Sequence, residues 1–459
     1  PEEHLVESIR PRSLYFGQRM RSADKETDVP NEGGSPSRDR KRRTLIALVG
    51  PGLMLAASGV GAGDLAGGAF AGIKLGTAVL WAVLCGAAFK FVVTEGLARW
   101  QLATGTTLLE GAVLRLGRPV QWGFLVYLLV WTFGVGTSLI SACGVAAHAL
   151  FPVFDDAVRG KIVWGIVHSL IGLAMVWWGT FRFFERMMGV LVAIMVVVVL
   201  VTGWMVKPDW LSVSRGLFVP NIPDQPEAVA WTLALMGGVG GTLTVLCYGY
   251  WIREEERTGT EDLALCRLDL GMSYAVMALF GIAMVIIATG VSLEGAGAKL
   301  LVELAERLQQ SLGSTARHLF LVGAWAAVFS SLVGVWQAVP YLFADFWQLL
   351  RRRGKLEAET FLPAPVDKRG WAYRGYLLAL ALVPMLGLQY NFQLVQKANS
   401  VFGALVMPML AAALLVMNGR SDWVGAHNRN RWWTTAALIG ILVFFAVVGL
   451  PSVIEALTF

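Results

Sequence analysis

Long apolar stretches separated by short polar loops run along most of the chain. Each stretch holds about 18 residues or more, which is enough to cross a bilayer as a helix. The pattern predicts an all-α membrane protein with eleven transmembrane segments. We place them at residues 45–75, 77–98, 120–150, 161–180, 184–206, 228–252, 266–291, 316–348, 371–388, 392–417 and 432–455.

Two of these segments are interrupted by glycine. Segment 1 contains GVGAGDLAGG at 59–68, and segment 6 contains MGGVGG from Met236 onwards. If 45–206 and 228–417 are two structural repeats followed by an extra helix at 432–455, the interruptions occupy equivalent positions. Paired interruptions of this kind predict the midplane site of a secondary transporter, because unwound backbone is tolerated in a bilayer only where it is buried or lines a cavity. The alternative is that the glycines only allow close helix packing.

Composition excludes several other classes of protein. The chain has 459 residues, of which 56% are hydrophobic and 15% are charged, and its mean hydropathy is +0.60. The four cysteines show no paired spacing, so neither a disulfide framework nor a zinc site is expected. The five histidines are scattered and no nucleophile–base pair is evident, so we expect neither an enzyme nor a cofactor. The net charge of +6 lies mostly in loops and indicates no nucleic-acid partner.

Charge also predicts how the chain lies in the membrane. Residues 1–43 are polar and end in RDRKRR, and we interpret them as a disordered basic tail that precedes a transporter domain at 44–459. Lys and Arg are enriched in alternate loops on the same side as this tail, which is typical of cytoplasmic loops. We therefore expect a cytoplasmic N-terminus and an external C-terminus, in a bacterial inner or plasma membrane.

Four stretches of the sequence together carry a family resemblance. They are GPGLMLAASGVGAGDLAGGAFAGIKLGTAVLW (50–81), LARWQLATGTTLLEGA (97–112), FERMMGVLVAIMVVVVL (184–200) and FSSLVGV (329–335). In this order and spacing they resemble the Nramp family of divalent-metal transporters. The resemblance extends over about 45–455. It implies a five-plus-five inverted-repeat fold with broken helices 1 and 6, and a secondary transporter of a small ion coupled to Na⁺ or H⁺.

The metal-site motifs of that family are altered in this sequence. The family's Asp-Pro-Gly-Asn motif aligns with Gly61, Ala62, Gly63 and Asp64, and its Met-Pro-His motif aligns with Gly241, Thr242 and Leu243. Acids of the third helix fall on Thr137 and Ile140, and the polar ligand of the tenth helix falls near Gln396 and Lys397. Because soft ligands select transition metals, a site without the thioether should not prefer Mn²⁺ or Fe²⁺.

These departures lead to a first hypothesis, in which the cargo is a small anion such as bicarbonate or a short carboxylate. Half-helix openings expose backbone N–H groups that favour anions. Hydroxyls could add donors and Lys397 could add positive charge, unless it extends to the external interface instead. The predicted substrate site comprises Gly61, Ala62, Gly63, Asp64, Gly240, Gly241, Thr242, Thr244, Thr137, Gln396 and Lys397.

The alternative hypothesis is a divalent cation, either Mg²⁺ or, as in the family, Mn²⁺ or Fe²⁺. Asp64 would then be a metal ligand together with carbonyls and water, since Mg²⁺ needs few protein ligands. Asp64 could instead be a helix N-cap. Ser330 and Ser331 in segment 8 could form a Na⁺ site, or they could bond to their own helix backbone.

Two further charges lie at membrane depth in segment 2. Lys90 and Glu95 are costly there and are functional candidates for that reason. Glu95 is expected to pair with Arg99 four residues later. For Lys90 we expect either an ionic partner in another helix or a role in gating.

Overall fold

The computed structural model describes residues 50–291, 297–352, 361, 363 and 365–449. The predicted basic tail at 1–43 and the predicted end of the last segment at 450–455 lie outside the described residues. Within the described ranges the chain forms helices and turns and no β-strand, which confirms the all-α class.

The described residues form eighteen α-helices, several of which begin at a capping side chain. Asp156 accepts hydrogen bonds from the first amides of α6, and Asn391 does the same at the start of α15. The helices are α1 (50–59), α2 (Gly68–Leu75), α3 (Leu80–Thr104), α4 (Leu108–Arg115), α5 (Arg118–Leu150), α6 (Ala157–Trp178), α7 (Phe181–Met205), α8 (Trp210–Phe218), α9 (Ala228–Gly238), α10 (Tyr248–Glu254), α11 (Leu263–Ala288), α12 (Leu300–Leu312), α13 (Ser314–Arg352), α14 (Trp371–Leu382), α15 (Phe392–Ala404), α16 (Val406–Met417), α17 (Ser421–Val424) and α18 (Trp432–Phe444).

Ten helical stretches of the described residues are long and apolar enough to cross a membrane. The first, Gly63–Thr104, combines the second half of predicted segment 1 with segment 2, which are joined by a 3₁₀ turn at Gly76–Val79. The other nine correspond to predicted segments 3–11, and α1 supplies the first half of segment 1. The predicted count of eleven membrane crossings itself stays a prediction.

Segment 1 is broken as the glycine pattern predicts. Helix α1 ends at residue 59, residues 60 and 61 form a bend, and a wide π-helical turn at Gly63–Gly67 leads into α2. We name residues 60–67 the first break. Glycine stabilises a helix poorly, and a π-helical turn leaves the regular hydrogen-bond ladder, so this stretch interrupts the helix at membrane depth.

Segment 6 is also broken, and here the backbone requires glycine. Helix α9 ends at Gly238, and residues 239–242, which we name the second break, are not helical. Gly240 and Gly241 have φ angles of +76° and +78°, in the left-handed region that residues with a Cβ rarely adopt. A 3₁₀ turn then leads into α10.

The two breaks pack directly against each other. A Cβ atom added to Gly63 would lie 2.9 Å from the Cα of Gly238, and one added to Gly59 would lie 2.9 Å from the carbonyl carbon of Gly240. The missing side chains therefore allow backbone to approach backbone. Both interpretations of the glycine pattern hold, since the glycines break the helices and also permit their contact.

Candidate functional site

A small cavity of about 30 Å³ lies between the two breaks. It is the size of about one water molecule. Backbone of the breaks and side chains of α5, α13 and α15 surround it. Its polar side chains are Ser58, Ser138, Thr242, Thr244, Ser331, Asn399 and Ser400.

Most of the hydroxyls around the cavity already have protein partners. The indole N–H of Trp131 donates to the Oγ1 atom of Thr242 at 2.8 Å. The Ser331 hydroxyl donates to the Ser58 carbonyl at 2.8 Å, and the Ser138 hydroxyl donates to a side-chain oxygen on α15 at 2.7 Å. These bonds fix the walls of the cavity and join α1 to α13 and α5 to α15.

Two of the hydroxyls that line the cavity have no such partner in the described part of the chain. Thr244 and Ser400 are buried, and their side-chain oxygens have no hydrogen-bond partner among the described residues. A buried hydroxyl without a partner is costly, so such groups usually bind water, an ion or a ligand. Both line the cavity, and they come from different elements, Thr244 from the 3₁₀ turn after the second break and Ser400 from α15.

The structure brings together five of the predicted substrate-site residues around this cavity. Ala62, Gly63, Gly241, Thr242 and Thr244 all line it. Gly61 lies directly behind its wall, with its Cα packed against the Ser331 side chain.

Six of the eleven predicted residues do not line the cavity, and three of these, Thr137, Gln396 and Lys397, belong to α5 and α15. The Thr137 hydroxyl donates to the Pro384 carbonyl at 2.9 Å. The Gln396 side chain accepts from the Ser138 hydroxyl at 2.7 Å and donates to the Ser138 carbonyl at 3.0 Å. It therefore holds a cavity-lining residue without lining the cavity itself. Lys397 does not line the cavity, so the expectation that it supplies positive charge near the site is wrong.

Lys397 instead pairs with Glu227, immediately before α9, and both side chains are partly exposed. Its position is explained by helix geometry, because successive residues point about 100° apart and Gln396 takes the buried direction. The hydrogen bond from Lys397 lowers the pKa of Glu227 below its ordinary value. This ion pair therefore joins the starts of α9 and α15.

Asp64 does not line the cavity either. It is fully buried, and its Oδ2 atom accepts a hydrogen bond from the Gly240 amide at 3.3 Å. Its Oδ1 atom has no hydrogen-bond partner in the described part of the chain. Asp64 thus satisfies an amide of the second break across the helix contact, and it is not the N-cap of the helix that follows it.

Lys90 reaches the same break from the other side. It is fully buried in α3, and its Nζ atom donates to the carbonyls of Gly237 at 2.8 Å, Val239 and Gly241. These carbonyls lack helical partners because the chain leaves the helix after Gly238. The expected partner in another helix exists, but it consists mainly of backbone, with the Asp64 carboxylate near enough to attract the ammonium.

The serine pair of segment 8 does not act as a unit. The Ser330 hydroxyl donates to the Ala327 carbonyl of its own helix at 2.9 Å, as the alternative interpretation predicted. Ser331 alone reaches the first break. The two hydroxyls therefore point in different directions.

Sequence reasoning missed a buried carboxylate at the far end of the bundle, Asp269 in α11. Both of its oxygens accept hydrogen bonds from the Gly52 amide, at 3.1 and 2.9 Å. Tyr248 donates to Oδ2 at 3.0 Å, and Arg257 forms an ion pair with it at 3.3 Å. Asp269 thus joins α1, α10 and α11.

The predicted ion pair of Glu95 with Arg99, four residues later in α3, is confirmed, with a distance of 3.4 Å between Oε2 and Nη2.

Comparison with known proteins identifies the family. The sequence pattern of the family described as natural resistance-associated macrophage protein-like (Nramp) matches residues 52–455. The chain belongs to the Nramp family. The resemblance found in its sequence is therefore confirmed.

The curated relatives have low sequence identity to this chain, but the match extends over almost the full length of each relative. The divalent metal cation transporter MntH of Yersinia pestis (strain Pestoides F) is 24% identical over 396 residues, which is 81% of this chain and 94% of the relative. MntH of Verminephrobacter eiseniae is 25% identical, over 90% of this chain and 91% of the relative. The protein is thus a multi-pass membrane protein of a transporter family.

Solved structures agree on the Nramp fold. A mutant of the Eremococcus coleocola manganese transporter superposes with a TM-score of 0.70 at 16% identity, covering 93% of this chain and 90% of that one. MhsT in complex with L-phenylalanine superposes with a TM-score of 0.56 at 14% identity, covering 93% and 100%. At such identities the likeness concerns the fold, and it confirms the predicted transporter fold with broken helices 1 and 6.

Proposed function

We propose that the protein is a secondary active transporter of a divalent metal cation, which binds between the two breaks. The matched relatives are named divalent metal cation transporters, which supports this class of cargo. The single observation that carries the proposal is the pair of buried hydroxyls, Thr244 and Ser400, that line the cavity and have no hydrogen-bond partner among the described residues. Oxygen atoms in this state are suited to bind a hard cation or its water shell.

The donor set favours Mg²⁺ over Mn²⁺ or Fe²⁺. Among the described residues, those that line the cavity include hydroxyls, an amide and backbone carbonyls, but no Met, Cys or His. The described part of the chain also has no cluster of three or more His, Cys, Asp or Glu side chains able to hold a metal. Oxygen ligands suit hard ions, whereas the soft ligands that select transition metals are missing from the described residues that line the cavity.

The anion that the sequence favoured is not supported by the relatives, and the geometry removes its physical basis. Lys397 lies away from the cavity in an ion pair. The Gly240 amide is bound by Asp64, and the Lys90 ammonium is bound by three carbonyls. The positive groups on which an anion site depended are therefore already occupied.

Transport would follow from rocking of the broken helices against the rest of the bundle, which exposes a midplane site alternately to each side. The cavity of about 30 Å³ has to widen when it admits a hydrated ion. Ser331 is the one hydroxyl of the segment 8 pair that contacts the first break, so it is our candidate for a Na⁺ ligand. Whether Na⁺ or H⁺ drives transport stays a prediction.

Uptake into proteoliposomes tests the cargo. Purified protein would be offered Mg²⁺, Mn²⁺ and bicarbonate, each with and without Na⁺ and pH gradients. We expect Mg²⁺ uptake. Bicarbonate uptake without flux of any metal would refute the proposal, and a clear preference for Mn²⁺ would refute the assignment of a hard ion.

A matched pair of variants tests the site. Thr244→Val removes a free cavity hydroxyl, and we expect it to lower uptake at low Mg²⁺ by about tenfold, the effect of losing one ligand worth about 1.4 kcal/mol. Thr232→Val is the control, because the Thr232 hydroxyl is buried in α9 and donates only to the Ala228 carbonyl of its own helix. Equal uptake by both variants would contradict the location of the site.

A further inference from the structure

We infer that Lys90 is a tethered cation that fills a monovalent-cation site in the second break, so that transport needs no free Na⁺ or K⁺ at this position. The observation is the set of three main-chain carbonyls, Gly237, Val239 and Gly241, that accept hydrogen bonds from one buried ammonium. The inference concerns the second break alone, and it holds whichever cargo the cavity carries.

The three carbonyls have the character of an ion site. In an unbroken helix each would accept an amide four residues later, but the chain leaves the helix at Gly238. The carboxyl end of α9 adds the partial negative charge of the helix dipole. Proteins coordinate monovalent cations with groups of backbone carbonyls of this kind. An ammonium group carries the same single charge and has three N–H donors, one for each carbonyl.

The charges around this site balance without any further ion. Lys90 is 0% exposed, and a lone charge at this depth of the membrane would be strongly unfavourable. Asp64, also 0% exposed, accepts a hydrogen bond from the Gly240 amide of the same break. A carboxylate and an ammonium therefore give the break a net charge of zero. A free cation entering as well would meet the positive charge of Lys90.

A simpler view is that Lys90 only caps the end of α9, and the two views differ in what replaces it. A cap that is lost leaves a damaged helix end, which a dissolved ion does not repair. An ion site that loses its tethered cation leaves a vacant group of carbonyls beside the negative charge of Asp64. Such a site can bind Na⁺, K⁺ or a small alkylammonium ion.

The test is rescue of Lys90→Ala by dissolved cations in proteoliposomes. Uptake by Lys90→Ala is compared with that of the wild type in choline, Na⁺ and K⁺ buffers of the same ionic strength, so that a coupling ion bound elsewhere affects both proteins alike. Lys90→Ala should lose at least about tenfold in choline, since a buried charged hydrogen-bond partner is worth more than about 1.4 kcal/mol. Na⁺, K⁺ or methylammonium should restore most of that loss. In the absence of any divalent cargo, the same ions should raise the melting temperature of Lys90→Ala by more than they raise that of the wild type.

A second buried lysine provides the matched control. Lys161 in α6 is 2% exposed, and its Nζ atom donates to one carbonyl, that of Tyr390, at 2.9 Å. Lys161→Ala removes an ammonium without leaving a group of carbonyls, so no dissolved cation should rescue it. Melting in the absence of cargo separates this inference from the proposed function, because it does not depend on what is transported.

Two results would overturn the inference. One is wild-type uptake by Lys90→Ala in choline. The other is a Lys90→Ala protein that is folded, as judged by gel filtration and melting, but responds to none of the cations. If Lys90→Ala does not fold, Lys90→Met keeps the volume of the side chain and removes its charge. We expect Lys90→Met to lose uptake in every buffer, and wild-type uptake by this variant in choline would also refute the inference.

Discussion

Two residues of opposite charge stabilise one unwound stretch of four residues, 239–242. The Asp64 carboxyl group accepts a hydrogen bond from the Gly240 amide, and the Lys90 side chain donates to three main-chain carbonyls at the end of α9 and in this stretch. Backbone groups that lose their helical partners inside a membrane need other partners, because no bulk water is present. At the residue scale, the second break therefore depends on side chains from two other helices.

The first prediction concerns the coupling between these charges. Asp64→Asn or Lys90→Met alone leaves the other charge buried without its counter-charge, and each should lower the free energy of unfolding by about 3–5 kcal/mol. The double variant removes both charges, so it should be more stable than the sum of the single effects allows, by at least about 1 kcal/mol. Reversible unfolding in mixed detergent measures this cycle.

A second double-variant cycle, in which the two side chains share no partner, serves as the control. Asp345 is a buried carboxylate in α13 that accepts from the Tyr250 hydroxyl at 2.7 Å, and it shares no hydrogen-bond partner with Lys90. Asp345→Asn combined with Lys90→Met should give additive losses. Additive losses for Asp64→Asn with Lys90→Met as well would contradict the coupling.

Single residues also show where sequence reasoning ends. The cost of a charge in the membrane identified Lys90 as functional, but its acceptors are main-chain atoms and leave no side-chain pattern to find. Asp269 was missed because Gly52, its amide partner, lies 217 positions away and is also a backbone group. Lys397 was misplaced because alignment gives a position along a helix but not the direction of the side chain.

At the scale of elements, the approach of the two breaks depends on glycine. Gly238→Ala would place a Cβ 2.9 Å from the Gly63 carbonyl oxygen, so we expect a loss of about 1–3 kcal/mol in stability and a loss of uptake. The control is Gly271→Ala in α11, where the nearest atom to an added Cβ is 4.0 Å away. Alanine there should be neutral or slightly stabilising. Thermal unfolding of both variants checks this, and equal melting temperatures would contradict it.

A second prediction at this scale concerns the attachment of α1. Asp269→Asn weakens the bonds that hold the start of α1 against α11, because a neutral amide accepts less strongly than a carboxylate. Hydrogen exchange of residues 50–59 should become about tenfold faster, the effect of about 1.4 kcal/mol of lost local stability. Asp345→Asn is the control, since its tyrosine partner lies on α10 and it should leave this exchange unchanged. Unchanged exchange in Asp269→Asn would show that other contacts hold α1.

Elements were the most predictable part of the molecule. Apolar length alone located the spanning helices, and glycine-rich sequence located both interruptions. The sequence did not reveal that the first break contains a π-helical turn at Gly63–Gly67, because that turn depends on packing against the second break. The cavity itself was only partly predictable, since its walls include Ser58 and Ser400, which belong to none of the altered motifs.

At the scale of the whole molecule, the orientation in the membrane follows from loop charge and can be tested by labelling. In a Cys85→Ser background, Arg118→Cys lies at the start of α5, beside a loop that we expect to be cytoplasmic, and Asp155→Cys lies in a loop that we expect to be external. Both positions are exposed. An impermeant maleimide added to intact spheroplasts should label Asp155→Cys only, and lysis should expose Arg118→Cys. The opposite pattern would invert the predicted orientation.

Because the acceptors of Lys90 are carbonyls of the main chain, evolution is free to change the side chains around them without changing the ligands. Position 90 is chemically constrained, and so are the glycines that keep the backbone in its left-handed turn and Gly237, where an added Cβ would lie 2.6 Å from the Ser400 carbonyl oxygen. A lineage could thus alter its cargo at the cavity while it inherits the same internal cation. In a deep mutational scan, position 90 should tolerate only lysine, whereas the buried Val239, which offers Lys90 only its carbonyl, should accept apolar residues of similar size.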